Sequence, residues 1–260
     1  MSRNISAFAY ETLEDKGYLP LLTPMSEIAG RMAPIVGSYF LQKPQGGRGV
    51  LTAGAVGVPP AHVVILGAGV VGTNALRIAH ALGSEATVLN RGIAKLRHID
   101  TQYAGEVHTA PLSAHNIESA LREADMVIGA VYQRGGRTPT LVTRDMLGLM
   151  KKGSVIVDVS IDQGGCFETS EPTTHDKPVY EKDGIIHYAV ANMPGAYSRT
   201  STLALTNATL PYLMRLADYG VERAIIEDRA LRSALNIHKG KVTHKGLAES
   251  TGLPLGNFDD

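Results

Sequence analysis

The alternation of apolar runs and helical patterns from residue 63 onward predicts the core of this chain. A strand-like run, Val63–Leu66, precedes a glycine-rich turn, a helical pattern and a second strand that ends at Asn90-Arg91. Further along, strand-like and helical runs continue to alternate: Met126–Val131, Ser154–Val159 and Ile185–Val190 as strands, Asn116–Ala124 and Arg144–Met150 as helices. Strands that alternate with helices are typical of a parallel sheet covered on both faces. We therefore predict an α/β fold, a Rossmann-type doubly wound parallel sheet with flanking N- and C-terminal helices.

The two ends of the chain have a different pattern. A helix is expected from Pro24, with Ser26 as its N-cap and a kink or break at Pro34. After residue 200, the pattern predicts a long helix from Leu203 to Tyr219 and a second over Val221–Leu235. These features divide the chain into residues 1–24, a dinucleotide-binding domain over 25–199 and a C-terminal helical segment over 200–260.

The glycine turn gives the clearest chemical indication. Gly67, Gly69 and Gly72 are spaced as GxGxxG between a strand and a helix that begins with Val70 and Val71. In that context the backbone N–H groups at the start of the helix bind a pyrophosphate, so the five residues are candidate cofactor ligands. The alternative is a glycine turn that serves packing alone.

The end of the second strand bears on the choice of cofactor. An acidic residue there usually accepts hydrogen bonds from the ribose hydroxyls and repels a 2′-phosphate, whereas this chain has Asn90 followed by Arg91. Arg91 and the nearby Lys95 offer positive charge to a phosphate. We therefore predict that NADP(H) is preferred, with NAD(H) as the alternative; an ordinary turn with a solvated arginine would have the same sequence.

Composition and charge exclude several other classes of protein. The 260 residues include 25 Lys plus Arg and 25 Asp plus Glu, so no net field favours nucleic acid or an anionic membrane surface. One cysteine excludes an intramolecular disulfide framework, and the histidines lack metal-binding spacing, so no metal site is expected. No apolar stretch approaches the roughly 20 residues of a membrane helix. We expect a cytoplasmic protein.

Long segments of the chain resemble alanine dehydrogenases, which are related to nicotinamide nucleotide transhydrogenase. The segments are LPLLTPMSEIAGRM, QGGRGVL, GAGVVGTNALRIA, ADMVIGAV, VIVDVSIDQGGCFETSEPTTHDKPVY and VANMPGAYSRTSTLALTNATLPY. The resemblance implies hydride transfer between a nicotinamide cofactor and the imine formed from pyruvate and ammonia. It also implies that residues 1–24 are the remnant of a substrate domain whose earlier part, with its arginine, lysine and histidine, is missing.

Individual positions acquire roles from the resemblance. It implies that Ser26 contacts the cofactor pyrophosphate, that Val131 lies beside the cofactor, and that Asp162 is the catalytic aspartate. The spacing alone favours the interpretation of Asp162, and likewise of Asn192, as an ordinary loop residue. The loop implied to border the nicotinamide ring contains Val190, Asn192 and Met193.

Departures from the family pattern lead to three hypotheses of function. The loop after Val131, Tyr132-Gln133-Arg134-Gly135-Gly136-Arg137, is more polar than in the family, and the carboxylate-binding cation is expected to be absent. The first hypothesis is therefore NADPH-dependent reduction of a preformed, for example cyclic, imine, with Asp162 stabilising the iminium and Tyr132 donating a proton. The second is alanine dehydrogenase needing a missing domain, and the third is a non-catalytic dinucleotide-binding subunit. Under each, we expect a homodimer or larger homo-oligomer.

Overall fold

The computed structural model describes residues 4–133 and 136–256. Contacts group them into two compact units, a larger one over Ser26–Ala196 and a smaller one that joins the chain up to Met25 with the chain from Tyr197. The strands are β1 (Ala7–Phe8), β2 (His62–Leu66), β3 (Glu85–Asn90), β4 (His108–Pro111), β5 (Met126–Gly129), β6 (Val155–Asp158), β7 (Val179–Lys182), β8 (Ile185–Tyr188), β9 (Leu235–His238) and β10 (Lys241–Val242). The α-helices are α1 (Thr23–Phe40), α2 (Val70–Ala81), α3 (Ile93–Gln102), α4 (Ala114–Glu123), α5 (Arg144–Leu147), α6 (Ser198–Glu227), α7 (Arg229–Ala234) and α8 (Lys245–Thr251).

The larger unit is built on a seven-stranded sheet in the order β4-β3-β2-β5-β6-β8-β7. All neighbouring pairs are parallel except β7 and β8, which are antiparallel. The strand order reverses between β2 and β5, and ligands of doubly wound sheets bind at such a reversal, beyond the carboxyl ends of the strands. The predicted Rossmann-type fold is confirmed.

Two apolar layers explain why the central strands are nearly uninterrupted apolar runs. Every residue of β5, β6 and β8 is buried, as expected for parallel strands covered on both faces. One layer includes Met32 of α1, Leu76 of α2 and Ile99 of α3, whereas the other includes Leu121 of α4 and Leu147 of α5. The sheet is thus fixed from both sides, and the loops at its carboxyl edge carry the polar residues.

Helix α1 differs from its prediction at its start and at Pro34. It begins at Thr23, so Ser26 lies inside the first turn and is not the N-cap. Pro34 does not end the helix, which runs on to Phe40. At Gly30 the helix approaches α2 closely, because a Cβ there would meet the carbonyl oxygen of Val71 and lie 2.9 Å from the Cβ of Asn74. This approach brings α1 to the first turn of α2.

The predicted C-terminal helical segment, residues 200–260, contains strands as well as helices. Helix α6 begins at Ser198, and Gly220 interrupts its helical backbone in a left-handed conformation (φ 71°). After α7 the chain forms β9 and β10, which pair with β1 in an antiparallel sheet of three strands. In the described part of the chain, no helix is both long enough and apolar enough to cross a membrane.

Candidate functional site

The glycine turn between β2 and α2 leaves an open space at the start of the helix. Gly67 adopts φ 112° and donates its N–H to the carbonyl of Leu89 at 2.7 Å, and a Cβ there would lie 2.5 Å from the carbonyl oxygen of Ala130. Gly72 packs against the carbonyl of Gly67. At Gly69, the N-cap of α2, a Cβ would meet nothing within 4 Å. The first N–H groups of α2, including those of Val70 and Val71, have no preceding helical carbonyl to accept them, and the space beside Gly69 is open, so this end of the helix is suited to the pyrophosphate of a dinucleotide.

Ser26 lies in the first turn of α1, the helix that approaches α2 at Gly30. It is one helical turn before Gly30, the residue of α1 that packs on the backbone of Val71, and positions four apart share a face of a helix. The side chain of Arg31 adds a second link, since its Nε donates to Oδ1 of Asn74 at 2.8 Å. The structure thus places Ser26 on the side of α1 that faces the start of α2.

Asn90 holds the glycine turn through its side chain. Its Oδ1 accepts a hydrogen bond from the N–H of Ala68 at 3.1 Å, and its Nδ2 donates to the carbonyl of Gly92 at 3.0 Å. Arg91 and Lys95 are exposed, and neither forms an ion pair with any residue in the described ranges. The carboxamide therefore has a role within the protein, and its presence does not by itself indicate a 2′-phosphate.

Asp158, which the sequence analysis did not select, organises the loop that follows β6. Its fully buried carboxylate accepts hydrogen bonds from the N–H groups of Ser160 and Cys166, both at 3.0 Å, and from Oγ of Ser170 at 2.6 Å. Burial raises the pKa of Asp158, and these donors oppose that shift. A charged residue at the end of the apolar run VIVD is the sequence signal that could have identified it.

Asp162 and Asn192 are brought together at the carboxyl edge of the sheet. Asp162 is exposed in a 3₁₀ turn, Val159–Gln163, and its Oδ1 accepts the N–H of Asn192 at 3.4 Å. Asn192 adopts a left-handed conformation (φ 54°), and its carbonyl accepts the N–H of Gly195 at 2.9 Å. The exposed carboxylate of Asp162 is suited to bind a polar or cationic ligand.

The other predicted site residues occupy mixed positions. Val190 and Met193 are 0% and 2% exposed, so neither residue presents a surface to a ligand at this edge. Val131 is half-buried, and Tyr132 is 48% exposed on the loop after β5. Arg134 and Gly135 of that loop lie outside the described residues. Within the described ranges, no group of three His, Cys, Asp or Glu side chains is placed to hold a metal ion.

Comparison with known proteins places the chain in a family. Residues 33–245 match the family model described as "Alanine dehydrogenase/PNT, C-terminal domain". The chain belongs to this family. It is 53% identical to the alanine dehydrogenase of Halomonas elongata over 249 residues, which cover 95% of the chain and 67% of that relative. It is 50% identical to the alanine dehydrogenase of Bacillus subtilis over 251 residues, which cover 96% and 66% respectively. The chain thus spans about two thirds of the length of these relatives.

Solved structures agree with the sequence comparison. An L-alanine dehydrogenase superposes with a TM-score of 0.92 at 45% identity, covering 96% of this chain and 69% of that one. A transhydrogenase from Sinorhizobium meliloti superposes with a TM-score of 0.76 at 22% identity over 91% of this chain and 68% of that one, which supports the fold alone. The predicted membership of the alanine dehydrogenase family is confirmed. The chain is an alanine dehydrogenase-like, NAD-dependent oxidoreductase.

Proposed function

We propose that this chain is the dinucleotide-binding and hydride-transfer part of an L-alanine dehydrogenase. The observation that carries the proposal is the open N-terminus of α2 at Gly69, in a chain about half identical to alanine dehydrogenases over nearly its whole length. The relatives favour this function, the second hypothesis from the sequence, over reduction of a preformed imine, which none of them supports. Alanine and pyruvate are proposed substrates.

We propose NAD(H) as the cofactor. Alanine dehydrogenases use NAD(H), and the predicted preference for NADP(H) finds no support among the relatives. The contacts of Asn90 with Ala68 and Gly92 supply a reason for an amide at this position that does not involve a 2′-phosphate. In this proposal the N–H groups of Val70 and Val71, together with Ser26, bind the pyrophosphate.

The nicotinamide, when bound, accepts or donates the hydride. The contribution of the chain is to orient the reacting groups and to place charge beside them. Because Asp162 is exposed, its carboxylate is available to stabilise the cationic C=N of the substrate imine. The N–H of Asn192 lies within hydrogen-bonding reach of the same carboxylate. We assign Asn192 to orienting the nicotinamide and Tyr132, on the adjoining loop, to the wall of the crevice.

The test is an assay with L-alanine and NAD⁺ of the chain alone and of the chain mixed with the N-terminal substrate domain of the Bacillus subtilis relative, followed through the absorbance of the reduced nicotinamide. Alanine-dependent reduction that is lost in Asp162→Asn, with NADH binding retained, is the expected result. Oxidation of NADPH by cyclic imines without alanine turnover would instead establish the first hypothesis. Binding of NADH without turnover of either substrate would establish the third, a non-catalytic subunit.

We also propose that the chain forms a homo-oligomer and acts in the cytoplasm. Ile35 and Tyr39 of α1 are 45% and 49% exposed. Apolar side chains exposed on one helix are suited to contact another copy of the chain.

A further inference from the structure

Two polar side chains from the turn after β6 bind the backbone of the segment after β5. Oγ of Ser160 accepts the N–H of Val131 at 3.1 Å and donates to the carbonyl of the same residue at 2.8 Å. Oε1 of Gln163 accepts the N–H of Gln133 at 3.1 Å, and its Nε2 donates to the carbonyl of Gln133 at 2.9 Å. Each side chain thus satisfies both backbone groups of one residue.

The spacing of these contacts is that of a β-ladder. In an extended strand, the N–H and C=O of one residue point to the same edge, and alternate residues share that edge. Strand β6 ends at Asp158, and beyond that point no strand of the described ranges pairs on this edge with the residues that continue β5. Ser160 and Gln163 take the place of the missing strand and extend the paired edge of β5 to Gln133.

The same turn carries the candidate catalytic residue. Asp162 lies between Ser160 and Gln163 in Val159–Gln163. The N–H of Thr138 donates to the carbonyl of Gln163 at 2.9 Å, which adds a third link to the loop after β5. The carboxylate of Asp158 accepts the N–H of Ser160 at 3.0 Å and so holds the start of the turn to the end of β6.

We propose that Gln163 is a positioning residue, whose carboxamide holds the loop after β5 against the turn that bears Asp162 and so fixes the wall of the nicotinamide crevice. The inference rests on the proposed function, because the crevice must bind a nicotinamide cofactor. The carboxamide of Gln163 contacts the backbone of Gln133 and not its side chain. Any residue at position 133 that has a backbone N–H can therefore make the same contact. Gln133→Ala therefore keeps the contact, whereas Gln163→Ala removes it.

The experiment measures two quantities in the whole chain, amide hydrogen exchange at Gln133 and the affinities for NADH and ADP-ribose, which lacks the nicotinamide. In Gln163→Ala we expect exchange at Gln133 to be at least about tenfold faster. We expect NADH to bind about tenfold more weakly and ADP-ribose to change by less than about twofold, the first factor corresponding to roughly 1.4 kcal/mol. Gln133→Ala is expected to match the wild type in both affinities. Gln163→Glu keeps the acceptor but loses the donor, and we expect intermediate values.

Each result decides the proposal. Unchanged exchange in Gln163→Ala would show that the carboxamide does not hold the loop. Faster exchange with unchanged NADH affinity would show that the loop does not shape the nicotinamide site, and equal losses for NADH and ADP-ribose would indicate a general structural defect. If the wild type itself binds neither compound, the proposed function fails first and this inference falls with it.

Discussion

Replacing Asp158 by Asn tests whether a buried carboxylate orders the loop of the candidate site. Its two oxygens receive donors on both sides, the N–H of Ser160 at Oδ1 and, at Oδ2, the N–H of Cys166 and the hydroxyl of Ser170. An asparagine has one acceptor oxygen, so in either orientation its NH₂ faces a backbone N–H. A buried donor left without an acceptor costs about 1–3 kcal/mol.

The net loss of stability should lie near the middle of that range. Burial raises the pKa of Asp158, so the amide removes part of the cost of keeping a charge in the core. We therefore expect a loss of about 2 kcal/mol, which lowers the Tm by roughly 4–8 °C for a chain of this size. Ser170→Ala removes one donor and leaves the carboxylate in place, so about 1 kcal/mol is expected for this control.

Thermal unfolding followed by circular dichroism measures both variants under the same conditions. A Tm for Asp158→Asn within about 1 °C of the wild type would refute the reasoning, because the donors would then have found other acceptors. A loss in Ser170→Ala as large as in Asp158→Asn would also refute it, since the hydroxyl alone would then account for the effect.

Three further predictions concern pH, cofactor choice and assembly. Burial lowers the pKa of His187, whose Nε2 lies 2.9 Å from Oγ1 of Thr169. As the pH falls below the ordinary histidine pKa of 6.5, the unfolded chain therefore takes up a proton at this residue while the folded chain keeps it neutral. The urea midpoint should therefore decrease as the pH is lowered from about 7 to about 5.5, and it should decrease less steeply in His187→Gln. Equal slopes of the midpoint against pH in the two proteins would contradict this. In titrations, wild type should bind NADH more tightly than NADPH, and Arg91→Ala should leave NADH affinity within about threefold; tighter NADPH binding would contradict the choice of NAD(H). Light scattering at micromolar concentration should detect an oligomer that Ile35→Glu with Tyr39→Glu weakens, whereas a wild-type monomer would contradict self-association.

The central strands were predictable because their physics is local. A buried parallel strand is an apolar run, and Val63–Leu66 before three spaced glycines indicates the first βαβ unit without any tertiary information. The edge strand β4 was missed because it is short, partly exposed and ends in Pro111. Strand β7 was missed for a similar reason, since none of its residues is fully buried and it pairs on one side only.

The candidate site likewise contains some residues that the sequence predicts and others that it does not. The glycines were predictable because a backbone that must approach a phosphate closely requires them. The contacts of Gln163 with Gln133 and of Ser160 with Val131 join residues 30 and 29 positions apart, and such pairs leave no periodic pattern in one sequence. The role of Asn90 was also hidden, because its partner Ala68 is selected by the turn geometry rather than by residue type.

The central claim, that the open N-terminus of α2 binds a nicotinamide dinucleotide, is tested most directly by Gly69→Val. A Cβ at Gly69 meets no atom within 4 Å, and its φ of −85° suits any residue, so the variant should fold with an unchanged Tm. Its side chain would occupy the space assigned to the pyrophosphate, and calorimetric titration should show NADH affinity reduced by more than about tenfold. A folded variant that binds NADH as well as the wild type would contradict the account.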